Sequence, residues 1–118
     1  MNQEQTLITM HEHGEMHISE YVIASIAAHA ANEVEGVAGM ATRADWRGKK
    51  SLRKGVRVLI DGTNVVCDIF LTVKRNQPII KISEAVQEKV KVHIEAMTGL
   101  QAAEINVHVV GVAYNKTA

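Results

Sequence analysis

Residues 55–75, GVRVLIDGTNVVCDIFLTVKR, decide the fold of this chain. On either side of Asp61-Gly62, apolar residues alternate with the rest, which is the period of a strand that buries one face. An Asp-Gly pair between two such strands favours the tight turn of a hairpin. The pattern therefore predicts two antiparallel strands, about 55–61 and 65–75. Their core-facing side chains are expected to be Val56, Val58, Ile60, Val65, Cys67, Ile69, Leu71 and Val73.

Segments whose apolar residues have the spacing of a helix lie on both sides of this hairpin. After Ser19, which can cap a helix, apolar residues recur in steps of three and four from residue 20 to about 35. A second amphipathic segment begins at Pro78 and ends at Thr98-Gly99. Further strands are expected at residues 14–18, 37–42 and 104–114. The resulting order, β-α-β-β-β-α-β, predicts an α+β two-layer sandwich with both helices on one face of a mixed sheet.

The same periods predict which side chains are buried and which are not. The expected core includes Val22, Ile26, Ala30, Val58, Ile69, Val86, Val90 and Val107. Apolar side chains expected on the opposite face of the sheet are Val66, Phe70, Val110 and Val112. An uncovered apolar patch of that kind usually marks an interface, so we expect the chain to form a homo-oligomer.

Length and composition favour a single small domain. The chain has 118 residues, enough for one hydrophobic core. We expect a flexible tail over residues 1–13, which are polar and have no period, and one domain over residues 14–118. No apolar run approaches the ~20 residues of a membrane-spanning helix, and the N-terminus lacks a signal-peptide pattern. The lone Cys67 cannot form an intramolecular disulfide, so a cytoplasmic protein is expected.

Charge is divided sharply along the chain. Residues 1–42 contain six acids and no Lys or Arg, whereas residues 43–57, the basic segment, contain seven bases and one acid. A local potential of this kind steers association even when the net charge is zero. The basic segment is interpreted either as a solvated loop or as a docking site for an acidic protein, anionic lipid or nucleic acid. The residues expected to bind a partner are Arg43, Trp46, Arg47, Lys49, Lys50, Arg53 and Lys54.

Residue types that carry catalysis or metal binding form no recognisable constellation. The N-terminal side chains that could hold a metal are His11, Glu12, His13, Glu15 and His17. Their spacing is not that of a known metal motif. Cys67 is expected to be a small buried hydrophobe. Asp68 is interpreted as an ordinary solvated residue, and His108 as a surface histidine or one with its hydrogen bonds satisfied, not as a member of a cluster. No glycine-rich phosphate-binding motif occurs. We therefore expect no catalytic residue, no metal, no cofactor and no enzymatic activity.

An ordered set of short segments resembles the alkaline-shock protein family of Gram-positive bacteria. This family is also called the envelope stress response family, and it includes a set of general-stress proteins. The resemblance runs from about Gly14 to Val112. Its segments include Ile18-Ser19, Val22-Ile23-Ala24, Val34-Glu35-Gly36-Val37, Lys54-Gly55-Val56, Val86-Gln87, Met97-Thr98-Gly99-Leu100 and residues 107–112. The chain departs from the family at Lys74-Arg75, where the family often has Tyr-Gly.

The resemblance implies a non-enzymatic protein linked to the cell envelope. Family members resemble soluble, self-associating proteins, some held at the membrane by a separate anchor protein and others associated with lipid metabolism. We therefore expect a scaffold or regulatory protein of envelope stress or lipid homeostasis, with a membrane-anchored or acidic protein partner. The alternative is a nucleic-acid-binding module that uses the basic segment on phosphates.

Overall fold

The computed structural model describes residues 6–11, 14–41 and 54–113. It confirms the predicted α+β architecture of two helices and a mixed sheet. In chain order the elements are β1 (Thr6–His11), β2 (Gly14–Ser19), α1 (Glu20–Asn32), β3 (Val37–Met40), β4 (Val56–Asp61), β5 (Asn64–Lys74), α2 (Ile79–Thr98) and β6 (Gln101–Ala113).

The main sheet is organised around β5. β4 pairs antiparallel with the first part of β5, from Asp61 opposite Asn64 to Val56 opposite Ile69. β3 continues along the same edge and pairs antiparallel with the end of β5. β6 pairs parallel with β5 along its other edge, as the helical connection through α2 allows. The mixed sheet therefore has β3 and β4 on one side of its central strand and β6 on the other.

Both helices pack on one face of this sheet. The inward side chains of β5 are buried as predicted, and they form one core with α1 and α2. The buried side of α1 is rich in alanine, which allows the helix to lie close to the sheet. Residues of the expected core that are buried are Ala30, Ile69, Val86 and Val90, and those packed half-buried against it are Ile26, Val58 and Val107.

Val22 is the exception in the expected core, because its side chain is 45% exposed. The buried stripe of α1 passes through Ile23, Ala27 and Ala31. At ~100° per residue, Val22 lies far from the centre of that stripe. The apolar period was therefore correct, but the face was assigned about one residue too early.

The N-terminal part differs from the prediction. The flexible tail predicted over residues 1–13 includes Thr6–His11, which forms β1 and pairs antiparallel with β2. β2, expected in the main sheet, belongs to this separate two-stranded ribbon. Pairing satisfies the backbone groups that the two strands direct toward each other, and β-branched residues such as Thr6, Ile8 and Thr9 suit it. The prediction is corrected for residues 6–11.

Candidate functional site

The two sides of residues 42–54, which hold six of the seven bases of the basic segment, meet at one residue of β5. The Ala41 amide donates to the Phe70 carbonyl, and the Phe70 amide donates to the Gly55 carbonyl, each at 2.8 Å. In an uninterrupted antiparallel ladder, one residue opposite Phe70 would make both bonds. Ala41 and Gly55 therefore share a single strand position, and residues 42–54 are inserted within it. We call this arrangement the stem.

The register on either side of the stem is continuous. Met40 lies opposite Leu71, and Val56 lies opposite Ile69. β3 and β4 thus follow β5 as one strand would, apart from the insertion and a register shift between Val37 and Gly39. The chain leaves and re-enters the sheet without a change in which side chains face the core.

Gly55 is required at the stem by both its conformation and its surroundings. Its φ is +80°, which side-chain-bearing residues rarely adopt. An added Cβ would lie 3.0 Å from Met40 Cβ and 3.1 Å from the Ala41 carbonyl oxygen. The two ends of the insertion are therefore in direct contact, which fixes the point from which the basic segment extends.

A polar cluster lies on the sheet face opposite the helices, beside the stem. Asp68 is its centre. Arg57 donates to Asp68 Oδ2 from Nε at 3.3 Å and from Nη2 at 3.2 Å. Asn106 Nδ2 donates to Asp68 Oδ1 at 3.2 Å, and His108 Nε2 lies 3.2 Å from the same oxygen. The Asp68 cluster therefore joins three neighbouring strands, β4, β5 and β6.

Phe70 connects this cluster to the stem. Its ring stacks on the His108 ring with centroids 4.4 Å apart and planes inclined by 10°. The Arg57 guanidinium lies 5.9 Å from the Phe70 ring centroid. Although Phe70 faces away from the core, only 2% of it is exposed.

The predicted apolar patch on this face is consequently wrong. Phe70 is covered, and Val66 and Val110 are half-buried. Val112 is exposed, but a register shift after Val109 places it opposite Val73, on the helix-facing side of the sheet. The His108 ring of the neighbouring strand covers one face of the Phe70 ring, and strand alternation alone cannot show such packing. Any self-association must therefore use a different surface from the one that the alternation predicts.

The Asp68 cluster determines the charge state of its carboxyl group. Partial burial alone would raise the pKa of Asp68. Hydrogen bonds from His108, Asn106 and Arg57, together with the positive charge of Arg57, outweigh that effect and lower the pKa. Asp68 is therefore a carboxylate with its acceptor positions occupied, which is the state of a structural group rather than of a proton donor.

Most of the expected partner-binding residues lie outside the described residues: Arg43, Trp46, Arg47, Lys49, Lys50 and Arg53. Lys54, where the description resumes, has its ammonium nitrogen 5.7 Å from the Tyr21 ring centroid of α1. Arg57, the last base of the segment, pairs with Asp68. The segment thus ends in two bases that contact the domain itself.

Cys67 and the potential metal ligands have structural surroundings in the described part of the chain. Cys67 is buried in β5, and desolvation, with a smaller contribution from the charge of Asp68, raises its pKa to about 12. Its thiol therefore stays protonated and unreactive. Within residues 14–41 and 54–113, no group of His, Cys, Asp and Glu is arranged to hold a metal ion. His17 instead pairs with Glu15 at 3.2 Å.

Sequence reasoning missed the Asp68 cluster. Alternation places Arg57, Asp68, Asn106 and His108 on the outer face of their strands, which is where the structure has them. What the pattern lacks is the register between β5 and β6. Four polar residues on outward positions of strands in one sheet are the signal that could have found the cluster.

No helix in the described part of the chain is both long and apolar enough to cross a membrane.

Comparison with known proteins identifies one family pattern that covers most of the chain, and relatives in two bacteria. The sequence pattern of the ASP-23 family, described as having a cell envelope-related function, matches residues 9–114. The uncharacterized protein YqhY of Bacillus subtilis is 36% identical over 110 residues, which are 89% of this chain and 82% of that protein. The uncharacterized protein Spy1614 of Streptococcus pyogenes is 30% identical over 103 residues, 81% of this chain and 85% of that protein.

Solved structures add a likeness of fold. A manganese form of a MamM CTD variant superposes with a TM-score of 0.50 at 14% identity, covering 81% of this chain and 99% of that one. At this identity the likeness concerns the fold alone. The sequence match over residues 9–114 carries the assignment, and the chain belongs to the alkaline-shock protein (ASP-23) family of cell envelope-related proteins.

Proposed function

We propose that this chain is a non-enzymatic scaffold or regulatory protein linked to envelope stress or lipid homeostasis. It acts through self-association and through a protein partner that docks on the basic segment. The stem at Phe70 is the observation that carries this proposal, because it fixes both ends of the basic segment to the central strand. Binding segments held by a rigid scaffold are a common design of recognition proteins.

The chemistry of the domain supports a role without catalysis. The Cys67 thiol is buried and protonated, and the Asp68 carboxylate is held by three side chains. Neither group is poised to attack or to transfer a proton. In this proposal the Asp68 cluster stabilises the sheet next to the stem, which holds the two ends of the insertion together.

The partner that best fits the basic segment is an acidic protein, including one anchored in the membrane. Six bases between residues 43 and 54 are accompanied by one acid, so the local charge is strongly positive. Opposite charge on a partner raises the rate of encounter and selects against basic surfaces. In this proposal the chain works in the cytoplasm and reaches the membrane through its partner.

The experiment compares three proteins in cross-linked capture from the native cells. The first is the unaltered chain. The second carries Lys49→Gln, Lys50→Gln, Arg53→Gln and Lys54→Gln. The third, the joined-strand variant, lacks residues 42–55 and joins Ala41 directly to Val56. Since Val56 then follows Ala41 in register with β5, this variant keeps the sheet while losing the basic segment.

An acidic protein captured by the unaltered chain and lost from both variants supports the proposal. If both variants retain the partner, the basic segment is a solvated loop and the docking part of the proposal is wrong. Nuclease-sensitive capture of RNA, with binding to mixed RNA but not to anionic vesicles at matched ionic strength, would instead favour the nucleic-acid alternative. A turnover assay is unnecessary to separate these outcomes.

A further inference from the structure

The outer edge of β6 is a long sheet edge with little protection. In the described part of the chain, β5 is the only strand that pairs with β6. Sheet edges expose backbone N–H and C=O groups, and proteins usually protect them with Lys, Pro or a covering element. β6 spans Gln101–Ala113 and contains no Lys, Arg or Pro, and its one acid is Glu104.

Side chains of α2 cover the beginning of that edge. Glu95 Oε2 accepts from the Ala102 amide at 3.0 Å, and Gln87 Nε2 donates to the Ile105 carbonyl at 3.0 Å. Successive residues of a strand direct their backbone groups alternately to the two sides. Val107 and Val109 therefore direct theirs to the same side as Ile105, away from β5.

The polar cover stops after Ile105. Ile80 lies two helical turns before Gln87 and on the same side of α2. Since α2 runs against β6, a helix rise of ~1.5 Å and a strand rise of ~3.3 Å per residue place Ile80 about three residues beyond Ile105. Ile80 is 74% exposed. An uncovered apolar side chain therefore replaces the polar cap along the second half of the edge.

The regular part of β6 is bounded by two irregularities. The register with β5 shifts between Ala102 and Glu104 and again between Val109 and Gly111. Bulges of this kind bend a strand and interrupt further pairing. The regular stretch is therefore 104–109. Within it the Ile105 carbonyl already accepts from Gln87, and its second lone pair can accept from an amide of another strand.

This stretch is complementary to itself. In an antiparallel pair about a two-fold axis at Asn106, Ile105 lies opposite Val107 of the second copy, on the helix-facing side. Glu104 lies opposite His108 of the second copy, on the other side. A carboxylate then meets an imidazole twice, and no two like charges face each other.

We propose that residues 104–108 pair antiparallel with the same residues of a second copy, which joins two four-stranded sheets into one. This inference rests on the self-association in the proposed function and names its surface. The stem lies on the opposite side of β5 from β6, so the two stems are at the outer edges of the joined sheet.

The test is a cross-link at the axis. Residues facing each other in a non-hydrogen-bonded antiparallel pair have Cα atoms ~4.5 Å apart, within the range of a disulfide. Asn106→Cys should therefore oxidise to a covalent dimer at low micromolar concentration, because the native Cys67 is buried and cannot compete. The matched control is Leu59→Cys, which is 53% exposed on the far edge strand and should stay monomeric under the same conditions.

Two further variants keep the proposal falsifiable if Asn106→Cys perturbs the Asp68 cluster. Val107→Pro removes an outward amide and should convert a dimer into a monomer with unchanged helix content. Glu104→Lys, on an exposed side chain, should raise the dimer dissociation constant at least about fivefold, since two cross-strand pairs lose their attraction.

Light scattering of the unaltered chain separates the possible failures. A dimer whose Asn106→Cys variant cross-links no faster than Leu59→Cys overturns this edge and leaves self-association intact. If the unaltered chain is a monomer at high micromolar concentration, both the β6 edge and self-association are overturned. The capture experiment then still tests whether a partner docks on the basic segment.

Discussion

Ala41 and Gly55 divide between them the two backbone hydrogen bonds that one residue would normally make to Phe70. The insertion between them therefore occupies a single position of a continuous antiparallel ladder. This geometry explains how a densely charged segment can be placed within a sheet without shifting its register. It also makes the insertion separable from the fold, which can be tested directly.

The joined-strand variant, in which Ala41 is followed by Val56, should fold with unchanged or higher thermal stability. Its strand keeps Met40 opposite Leu71 and Val56 opposite Ile69, and closing a long loop no longer costs entropy. The control lacks one more residue and joins Ala41 to Arg57. That slip places Arg57 opposite Ile69 and turns Val58 and Ile60 outward, so cooperative unfolding should be lost. Thermal unfolding followed by circular dichroism measures both; equal behaviour would contradict the proposed register.

The hairpin of β4 and β5 could be predicted from the sequence because one face of each strand is consistently apolar. The helices followed from their period, although the period of α1 did not separate Val22 from Ile23. Contacts between side chains on different strands could not be predicted in this way. Asp68 and His108 are far apart in sequence, and their contact depends on a parallel register that α2 establishes and that no local pattern records.

The stem, like the contact between Asp68 and His108, could not be predicted from the sequence. Strand periods predicted β3 and β4 as separate strands, and nothing in either shows that they share one edge of β5. The basic segment itself was visible as charge. Its attachment at Phe70 depends on the fit of Gly55 against Met40 and Ala41, which only the folded backbone shows.

Gly36→Ala should destabilise the chain by about 2–4 kcal/mol. The residue has a φ of +99°, and an added Cβ would lie 2.5 Å from Ile82 Cδ1 and 2.8 Å from Ile82 Cγ1. Backbone strain of ~1 kcal/mol then adds to an overpacking cost of ~1–3 kcal/mol against α2. Gly62→Ala is the matched control, since its φ is +64° and nothing lies within 4 Å of an added Cβ. Urea unfolding should show the smaller loss, ~1 kcal/mol, for the control.

Substitutions at His108 should separate its stacking from its hydrogen bond. His108→Phe keeps a ring against Phe70 and loses the bond to Asp68, whereas His108→Ala loses both. Aromatic pairs contribute ~0.5–1.5 kcal/mol beyond their buried area, so the alanine variant should be less stable than the phenylalanine variant by about that amount. Chemical unfolding of the three proteins gives the comparison. Equal losses for both variants would mean that the stack contributes nothing.

Asp68→Asn should reduce stability by about 1–2 kcal/mol at neutral pH, because the charge-assisted hydrogen bonds of a largely buried carboxylate become weaker. The difference from the unaltered chain should depend on pH. Folding lowers the pKa of Asp68 from its ordinary value of 3.8, so the carboxylate stabilises the fold fully above that value. The stabilisation is lost as the pH falls through the lowered pKa of the folded state.

The two stability curves should therefore converge in acid, below about pH 3.8. Glu33 and Glu95 also have lowered pKa values, the first chiefly through Lys89 and the second through the Ala102 amide. Both are present in the two proteins and cancel in the difference. Urea midpoints measured between pH 2.5 and 7 test the convergence, with Asp61→Asn at the exposed end of β4 as the control. A gap that stays constant across this range would show that Asp68 acts through packing and not through its charge.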